Sequence, residues 1–174
     1  MKKILVPTDF SGISRNAEEY AVSLAKIFEA KVHLLHVYRD LMPATVGPEP
    51  WTVEVSEKKV ENERLIAKEI NYLKLKYGID VEALVETESR AKLIRSTAGK
   101  IEADLVVMGM RSGKRSRILG STVLNTIRKS KTPVLIVPEM AKFTALKNIV
   151  LAVDFTEMLT GSCFDPLLDI CKKN

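Results

Sequence analysis

Apolar residues along the chain form two alternating patterns, short continuous runs and longer amphipathic stretches. The runs predict strands that are buried on both faces of a parallel sheet, and the stretches predict the helices that cover it. The predicted strands cover residues 3–8, 31–37, 81–85, 105–108 and 133–137. The predicted helices cover residues 14–30, 51–77 with Gly78 as the terminating residue, 89–101, and a fourth stretch that begins at Ser121 or Thr122.

The alternation of strands and helices predicts an α/β fold. Right-handed crossovers place helices on both faces of such an open parallel sheet. Ligands bind outside the carboxyl ends of the strands, at the point where the strand order reverses, and the first and fourth strands are the natural pair. We therefore expect Asp9, just past the first strand, to lie opposite Gly109, just past the fourth, with Val37 alongside.

The segment after the fourth strand is basic and has a glycine at each end. Gly109 ends the apolar run, and Gly120 precedes Ser121 and Thr122, either of which is expected to cap the next helix. A helix N-terminus with free N–H groups is an anion site. The cations of the loop either bind phosphates or form a solvated surface; they are Arg111, Lys114, Arg115 and Arg117.

Gly109, this loop and Gly120-Ser121 resemble the nucleotide-binding signature of the universal stress protein family, Gly-x2-Gly-x9-Gly-Ser/Thr. Counting from Gly109, the second glycine position falls on Ser112, and Gly113 comes one residue later. The span to Gly120 is about two residues shorter than the family pattern. Residues 4–11, 33–37 and 132–138 also agree with the family, so the resemblance covers roughly residues 1 to 140.

The resemblance implies a universal stress domain over residues 1–140, with a Rossmann-like, adenine-nucleotide alpha-hydrolase-like sheet of five parallel strands in the order 3-2-1-4-5. It also implies a site for ATP, with or without Mg²⁺. In the family an aspartate contacts the nucleoside, the backbone near the second strand's end contacts adenine, and the glycine loop holds phosphates. Carried over, the binding residues are Pro7, Thr8, Asp9, Val37, Gly109, Ser112, Gly113, Gly120, Ser121 and Thr122.

These residues also have conformational interpretations. Asp9 can be a turn residue, because the three residues after it favour a turn, and Gly109 and Gly120 can serve only to form the loop ends. His33 and His36 point to opposite faces of a predicted strand, which favours structural roles over a paired site.

Composition and charge narrow the classes of function. The length of 174 residues suits one domain with an appendage. No apolar run is long enough to cross a bilayer and no signal peptide is apparent, so we expect a cytoplasmic protein without membrane contact. The net charge is +5, but Lys and Arg are interspersed with acidic residues and aromatic residues are 6%, which predicts no nucleic-acid partner. Cys163 and Cys171 fit neither a metal site nor a disulfide framework.

The sequence lacks the common catalytic patterns. It contains no Gly-x-Ser-x-Gly, no Gly-x4-Gly-Lys-Ser/Thr and no zincin or paired-cysteine motif. Phosphoryl transfer needs a metal-holding carboxylate and a positioned base, and Asp9 alone is available for the first role. We therefore expect no catalytic residues, no metal site and at most slow ATP hydrolysis.

Residues 147–156 repeat residues 2–11 at a constant offset. The repeat predicts that residues 141–174 are a linker plus the first strand and helix of a truncated second universal stress domain, as in a tandem protein. A lone apolar strand needs a cover. We expect this tail to pack on a neighbouring protomer, to exchange with it, or to fold back.

Two functions from different classes fit the sequence. One is a stress-response regulatory module that binds ATP and acts through dimerisation or partner binding. The other is a dimeric universal stress protein that does not bind nucleotide and serves only as an interaction module, which the shortened loop favours. In both, the resemblance implies a homodimer formed by the edge strand from Pro133 to Val137 and by the C-terminal tail.

Overall fold

Five parallel strands form one sheet in the computed structural model of the chain, in the order β3-β2-β1-β4-β5. The structure describes residues 1–38, 51–87, 90–111, 120–144, 148–150, 152 and 165–173. The strands are β1 (Lys3–Thr8), β2 (Lys31–Tyr38), β3 (Val81–Thr87), β4 (Leu105–Met110) and β5 (Val134–Pro138). The helices are α1 (Gly12–Phe28), α2 (Trp51–Tyr77), α3 (Arg90–Lys100), α4 (Ser121–Lys129) and α5 (Asp165–Lys173). The predicted fold class and strand order are confirmed.

The direction of the strands brings their carboxyl ends to one edge. Strand β1 pairs with β2 from Lys3 opposite Lys31 to Thr8 opposite His36, and with β4 through Ile4 opposite Leu105. The pairs β2–β3 and β4–β5 are also parallel. The strand order reverses between β1 and β4, as expected, so the two halves of the sheet diverge at that point.

Two apolar cores lie on the two faces of the sheet. Ile4 and Val6 of β1 pack with α1 and α2, whereas Leu5 packs with α3 and α4. The small residues Ala17 and Ala21 of α1 are fully buried against the sheet. A strand that is covered on both faces must be apolar throughout, which is why the predicted strands appeared as continuous apolar runs.

Caps decide where the helices begin and end. Helix α1 begins two residues before the prediction, because the Ser11 side chain accepts the N–H of Ser14 at 3.2 Å. It ends at Phe28, and the C-cap residue Glu29 has a left-handed φ of 53°. The prediction for α2 is confirmed at its C-terminus, where Gly78 has φ 66° and donates its N–H to the Lys74 carbonyl at 2.8 Å.

The C-terminal helix α5 packs on its own chain, at the edge of the sheet where β1 begins. Ile170 is buried in the core beside α1, and Asp169 lies 3.3 Å from the amino group of Met1. Residues 148–150 and 152 form no regular secondary structure, and Cys163 lies outside the described residues. The assignment of residues 141–174 to a second domain copy stays a prediction. No helix in the described part of the chain is long and apolar enough to cross a membrane.

A buried acid lies between α1 and α2. Arg15 donates two hydrogen bonds to Glu69, at 2.8 and 2.6 Å, and so joins the two helices. Glu18 is fully buried nearby, and neither of its carboxyl oxygens has a hydrogen-bond partner among the described residues. Burial raises the pKa of Glu18 to about 8, an effect that the Thr8 hydroxyl opposes and the Glu69 carboxylate reinforces.

We predict that the stability of the protein falls as the pH rises from about 4.5 to about 8 because of Glu18. In that range the folded state holds a proton on Glu18 that the unfolded state releases, so rising pH favours unfolding. Each pKa unit corresponds to about 1.4 kcal/mol, so the loss amounts to a few kcal/mol. Urea unfolding of Glu18→Gln at several pH values should show the variant close to wild type at pH 5 and more stable at pH 8.5.

The exposed Glu63→Gln variant is the matched control, and its stability curve should run parallel to that of wild type. A parallel curve for Glu18→Gln as well would mean that Glu18 ionises in the folded protein as it does in water.

Candidate functional site

A cleft of about 600 Å³ opens at the edge of the sheet where β1, β2 and β4 end. The first turns of α1, α3 and α4 complete its walls. Most residues carried over from the family resemblance line it, namely Pro7, Thr8, Asp9, Val37, Gly109, Gly120 and Thr122. Ser121 lies between Gly120 and Thr122 as the first residue of α4. Ser112 and Gly113 lie outside the described residues, as do the loop cations Lys114, Arg115 and Arg117.

The turn between β1 and α1 presents a carboxylate to the cleft. Asp9 accepts the N–H of Ser11 through Oδ1 at 3.1 Å, and the N–H of Phe10 donates to Thr8 Oγ1 at 3.1 Å. Partial burial opposes ionisation, but hydrogen bonds from Ser11 and Ser14 hold the pKa of Asp9 below its usual range. Asp9 is therefore both a turn residue and an ionised group in the wall of the cleft.

His36 fixes this turn from the other side of the sheet. Its Nδ1 donates to the Thr8 carbonyl at 2.9 Å, its Nε2 lies 2.9 Å from Asn62 Oδ1, and its ring lies 4.3 Å from that of Phe10. His33 lies on the opposite face of β2, as expected, with Nδ1 3.2 Å from Glu82. Burial lowers the pKa of His33, an effect that Glu82 opposes. The histidines thus support β2, whose Val37 lines the cleft.

The two glycines of the cleft have different environments. A Cβ atom at Gly109 would lie 2.6 Å from the Ile13 carbonyl oxygen, so this glycine allows α1 to approach β4 closely. A Cβ atom at Gly120 would meet nothing within 4 Å, and Gly120 has an ordinary φ of −50°. Neither packing nor backbone geometry within the described residues therefore requires a glycine at position 120. A side chain there would extend into free space at the cleft, which fits a role in the close approach of a ligand.

The start of α4 differs from the prediction. Neither Ser121 nor Thr122 caps the helix: Gly120 is the N-cap residue, and no side chain among the described residues bonds to the free N–H groups. The first helical bond runs from the Leu124 N–H to the Gly120 carbonyl at 3.0 Å, so both hydroxyl residues already lie inside the helix. The N–H groups of the first turn have no acceptor within the helix, and an anion can accept hydrogen bonds from them.

Electrostatics also favour an anion in the cleft. None of α1, α3 and α4 has an acidic residue in its first turn, so the positive ends of three helix dipoles act on one space. Arg90 and Arg111 line the same space, and Asp9 is the one carboxylate in the described lining. No group of His, Cys, Asp and Glu suited to a metal ion occurs within the described residues.

The cleft combines an apolar wall with a cationic one. Apolar side chains from six elements contribute, and they are Pro7, Ile13, Leu35, Val37, Ile94, Met108, Met110 and Val123. Such a lining suits a ligand with a flat apolar ring and an anionic group. Arg90 and Ile94 were not among the site residues predicted from the sequence, although the end of the third predicted strand pointed to this edge. Helix α3 reaches the cleft because it crosses the sheet from β3 to β4.

Comparisons with known proteins agree on one family. The sequence profile of the universal stress protein family matches residues 1–138. A universal stress protein of Methanocaldococcus jannaschii is 31% identical over 144 residues, which cover 81% of this chain and 84% of the relative. A solved universal stress protein in complex with cAMP has a TM-score of 0.59 at 22% identity and covers 79% of this chain and 97% of its own. The universal stress protein from Archaeoglobus fulgidus in complex with dAMP has a TM-score of 0.56 at 18% identity, and the match covers 78% of this chain and 97% of that one.

We predict that Gly109→Ala destabilises the protein by about 1–3 kcal/mol, because the new methyl group forces the backbones of β4 and α1 apart. Gly99→Ala is the matched control. Its Cβ would meet nothing within 4 Å, and in a helix the change should raise stability by up to about 1 kcal/mol. Thermal or urea unfolding measures both effects. Equal stabilities for the two variants would contradict the close contact of Gly109 with Ile13.

Proposed function

The chain belongs to the universal stress protein family, and on that premise we propose that it is a stress-response regulatory module that binds an adenine nucleotide, with ATP as the ligand, in the cleft beside β1 and β4. The observation that carries the proposal is the convergence of three helix N-termini on a cleft with one apolar wall. The solved relatives in complex with cAMP and dAMP support an adenine nucleotide as the ligand.

Each part of the nucleotide has a partner of suitable chemistry. Apolar Val37 at the end of β2 offers a surface for the adenine ring, and the Asp9 carboxylate can accept hydrogen bonds from ribose hydroxyls. The N–H groups at the start of α4 and the guanidinium of Arg111 suit the phosphates. Any Mg²⁺ would arrive with the phosphates, since Asp9 is the one carboxylate in the described lining.

A regulatory role is favoured over catalysis. Phosphoryl transfer needs a metal-holding carboxylate and a positioned base in addition to a phosphate cradle. The described lining contains neither histidine nor a second carboxylate, so Asp9 would have to serve alone. We propose that nucleotide binding acts through dimerisation or partner binding, with ATP hydrolysis at most slow.

The second candidate function is an interaction module that has lost nucleotide binding. The observation that favours it is the distance along the chain from Gly109 to Gly120, which is about two residues shorter than the family signature. A shorter loop has fewer N–H groups to offer to a triphosphate. This candidate has the same fold and the same dimer as the first, and it differs in that its cleft binds no nucleotide.

We propose that the protein forms a homodimer through the free edge of β5. Val106 donates its N–H to the Pro133 carbonyl at 2.9 Å, and Glu139 donates to the Met110 carbonyl at 2.8 Å. The backbone N–H and carbonyl groups of successive strand residues point to opposite sides of the strand. Those of the odd-numbered residues of β5 therefore bond to β4, and those of Val134 and Ile136 point to the free edge. A second copy related by a two-fold axis can pair with that edge.

The C-terminal tail is the second part of the proposed dimer interface. Val150 is 94% exposed, and Ile149 is partly exposed beside it. Helix α5, in contrast, packs on its own chain through Ile170. The contact with a second copy would therefore involve the segment before α5.

We predict that calorimetry detects ATP binding with a micromolar Kd, or roughly −8 kcal/mol. Asp9→Asn keeps the Oδ1 acceptor for the Ser11 N–H and removes the charge, so affinity should fall about 10- to 100-fold. Gly120→Val places a side chain where the phosphates approach and should abolish binding. Asp80→Asn, an exposed change outside the cleft, is the control and should bind as wild type does. Titrations with and without Mg²⁺ separate the metal's contribution.

No heat of binding for wild type, in protein purified free of nucleotide, would contradict the nucleotide-binding module and favour the interaction module. Binding that both cleft variants retain would contradict the site.

We predict that Ile136→Pro converts the dimer to a monomer, because it removes an N–H at the free edge and no hydrogen bond to β4. Ile136→Ala removes a similar amount of side chain but keeps the N–H, and it should remain dimeric. Sedimentation equilibrium measures the mass, and circular dichroism checks the fold. A monomeric wild type, or a dimeric Ile136→Pro variant with its fold intact, would contradict an interface at this edge.

A further inference from the structure

Basic residues are concentrated in one layer of the molecule, which contains α3 and α4. Residues 90–131 include eleven Lys and Arg but two Asp and Glu, whereas the whole chain has 27 and 22. Helices α3 and α4 carry six basic residues and no acidic one. On the opposite face of the sheet, α2 alone has six basic and five acidic residues. The interspersed charges that the composition suggested therefore do not extend to this layer.

The basic side chains of this layer lie at the surface and have few opposing charges. We define the basic layer as Arg90, Arg95, Lys100, Arg128 and Lys129, of which all but the half-buried Arg95 are exposed. Arg95 donates to the Asn125 carbonyl at 3.1 Å and so joins α3 to α4. The two acids of the region have other partners, since Asp104 accepts the N–H groups of Lys2 and Lys3, and Glu102 lies 4.0 Å from Lys3 Nζ.

Helix stability explains only part of this arrangement. Cations in the last turns, such as Lys100, Arg128 and Lys129, are favoured by the negative end of the helix dipole. Arg90 is the first residue of α3, where the dipole disfavours a cation. The first turns of both helices also lack the acidic residues that usually stabilise such positions. The cation at the start of α3 therefore carries some cost in helix stability, which the helix dipole does not explain.

We propose that the basic layer binds the phosphate backbone of duplex nucleic acid without sequence specificity. Binding of this kind needs only clustered cations that replace counterions, and arginine pairs with phosphate through two hydrogen bonds. Helix α3 is about 16 Å long, which matches several phosphates along one strand. Neither helix contains an aromatic residue, so the layer lacks the stacking surface that single strands require.

The same surface is poorly suited to other anionic partners. Protein interfaces have an apolar or aromatic centre, and membrane-surface helices insert large apolar side chains. Among the described residues of α3 and α4, the large hydrophobic side chain with substantial exposure is Ile127, at 42%. A polyanion that is recognised through charge alone is therefore the partner that the layer fits.

The test measures binding of the full chain to a fluorescent duplex of about 20 base pairs by anisotropy, without adenine nucleotide, between 50 and 200 mM salt. We expect a Kd in the range of about 1 to 100 μM and equal affinity for a duplex of shuffled sequence. The logarithm of the binding constant should fall against the logarithm of salt with a slope of about −3 to −5, or about −0.9 for each phosphate contacted.

Two triple variants with the same change in net charge locate the surface. Lys100→Gln, Arg128→Gln and Lys129→Gln together should weaken binding at least tenfold and reduce the salt slope by about 1 for each phosphate that the variant no longer neutralises. Lys59→Gln, Lys68→Gln and Lys74→Gln together change exposed residues of α2 and should stay within about twofold of wild type. All these side chains are exposed, and thermal unfolding confirms that both variants fold.

Three results would overturn the proposal. They are an absence of binding at 50 mM salt, an equal weakening of binding in the two triple variants, and tighter binding to vesicles that contain phosphatidylserine than to the duplex. The last result, with the same dependence on Lys100, Arg128 and Lys129, would identify an anionic membrane as the partner.

Discussion

All five strands of the sheet run in the same direction, and the rest of the structure depends on this constraint. A crossover between parallel strands must return the chain from the carboxyl ends of the strands to their amino ends. Each crossover helix therefore begins at the edge where a strand has ended. Because the order reverses between β1 and β4, α1 separates there from α3 and α4 and leaves a cleft. Three positive helix ends therefore act on one space before any side chain contributes.

Features that depend on local pattern could be predicted from the sequence. The bounds of β1 agree with the prediction because a strand buried on both faces must be apolar throughout. Gly78 was recognisable because a helix end in the left-handed region favours glycine. The cap of α4 was assigned wrongly, since Gly120 in an extended conformation serves as N-cap without any side-chain bond. Ser121 and Thr122 have better capping side chains, but the helix had already begun.

Features that depend on contacts distant in sequence could not be predicted. Glu18 has the pattern of a surface residue, and it is buried because α2 packs over it and brings Glu69 near. Arg90 lies in no recognised motif and reaches the cleft because α3 crosses the sheet. The motif did identify Gly109, but its closest neighbour is the backbone of Ile13, a packing role that the spacing of glycines did not reveal.

The contact between Gly109 and Ile13 has a mechanical consequence. The two backbones touch with no space for even a methyl group, so neither can shift without displacing the other. Asn16, one turn further along α1, donates to the carbonyls of Pro138 at 3.2 Å and Ala141 at 2.9 Å, and so holds the end of β5. A displacement of β4 at Gly109 would therefore also move the first turn of α1 and, through Asn16, the end of β5, without any movement of whole domains.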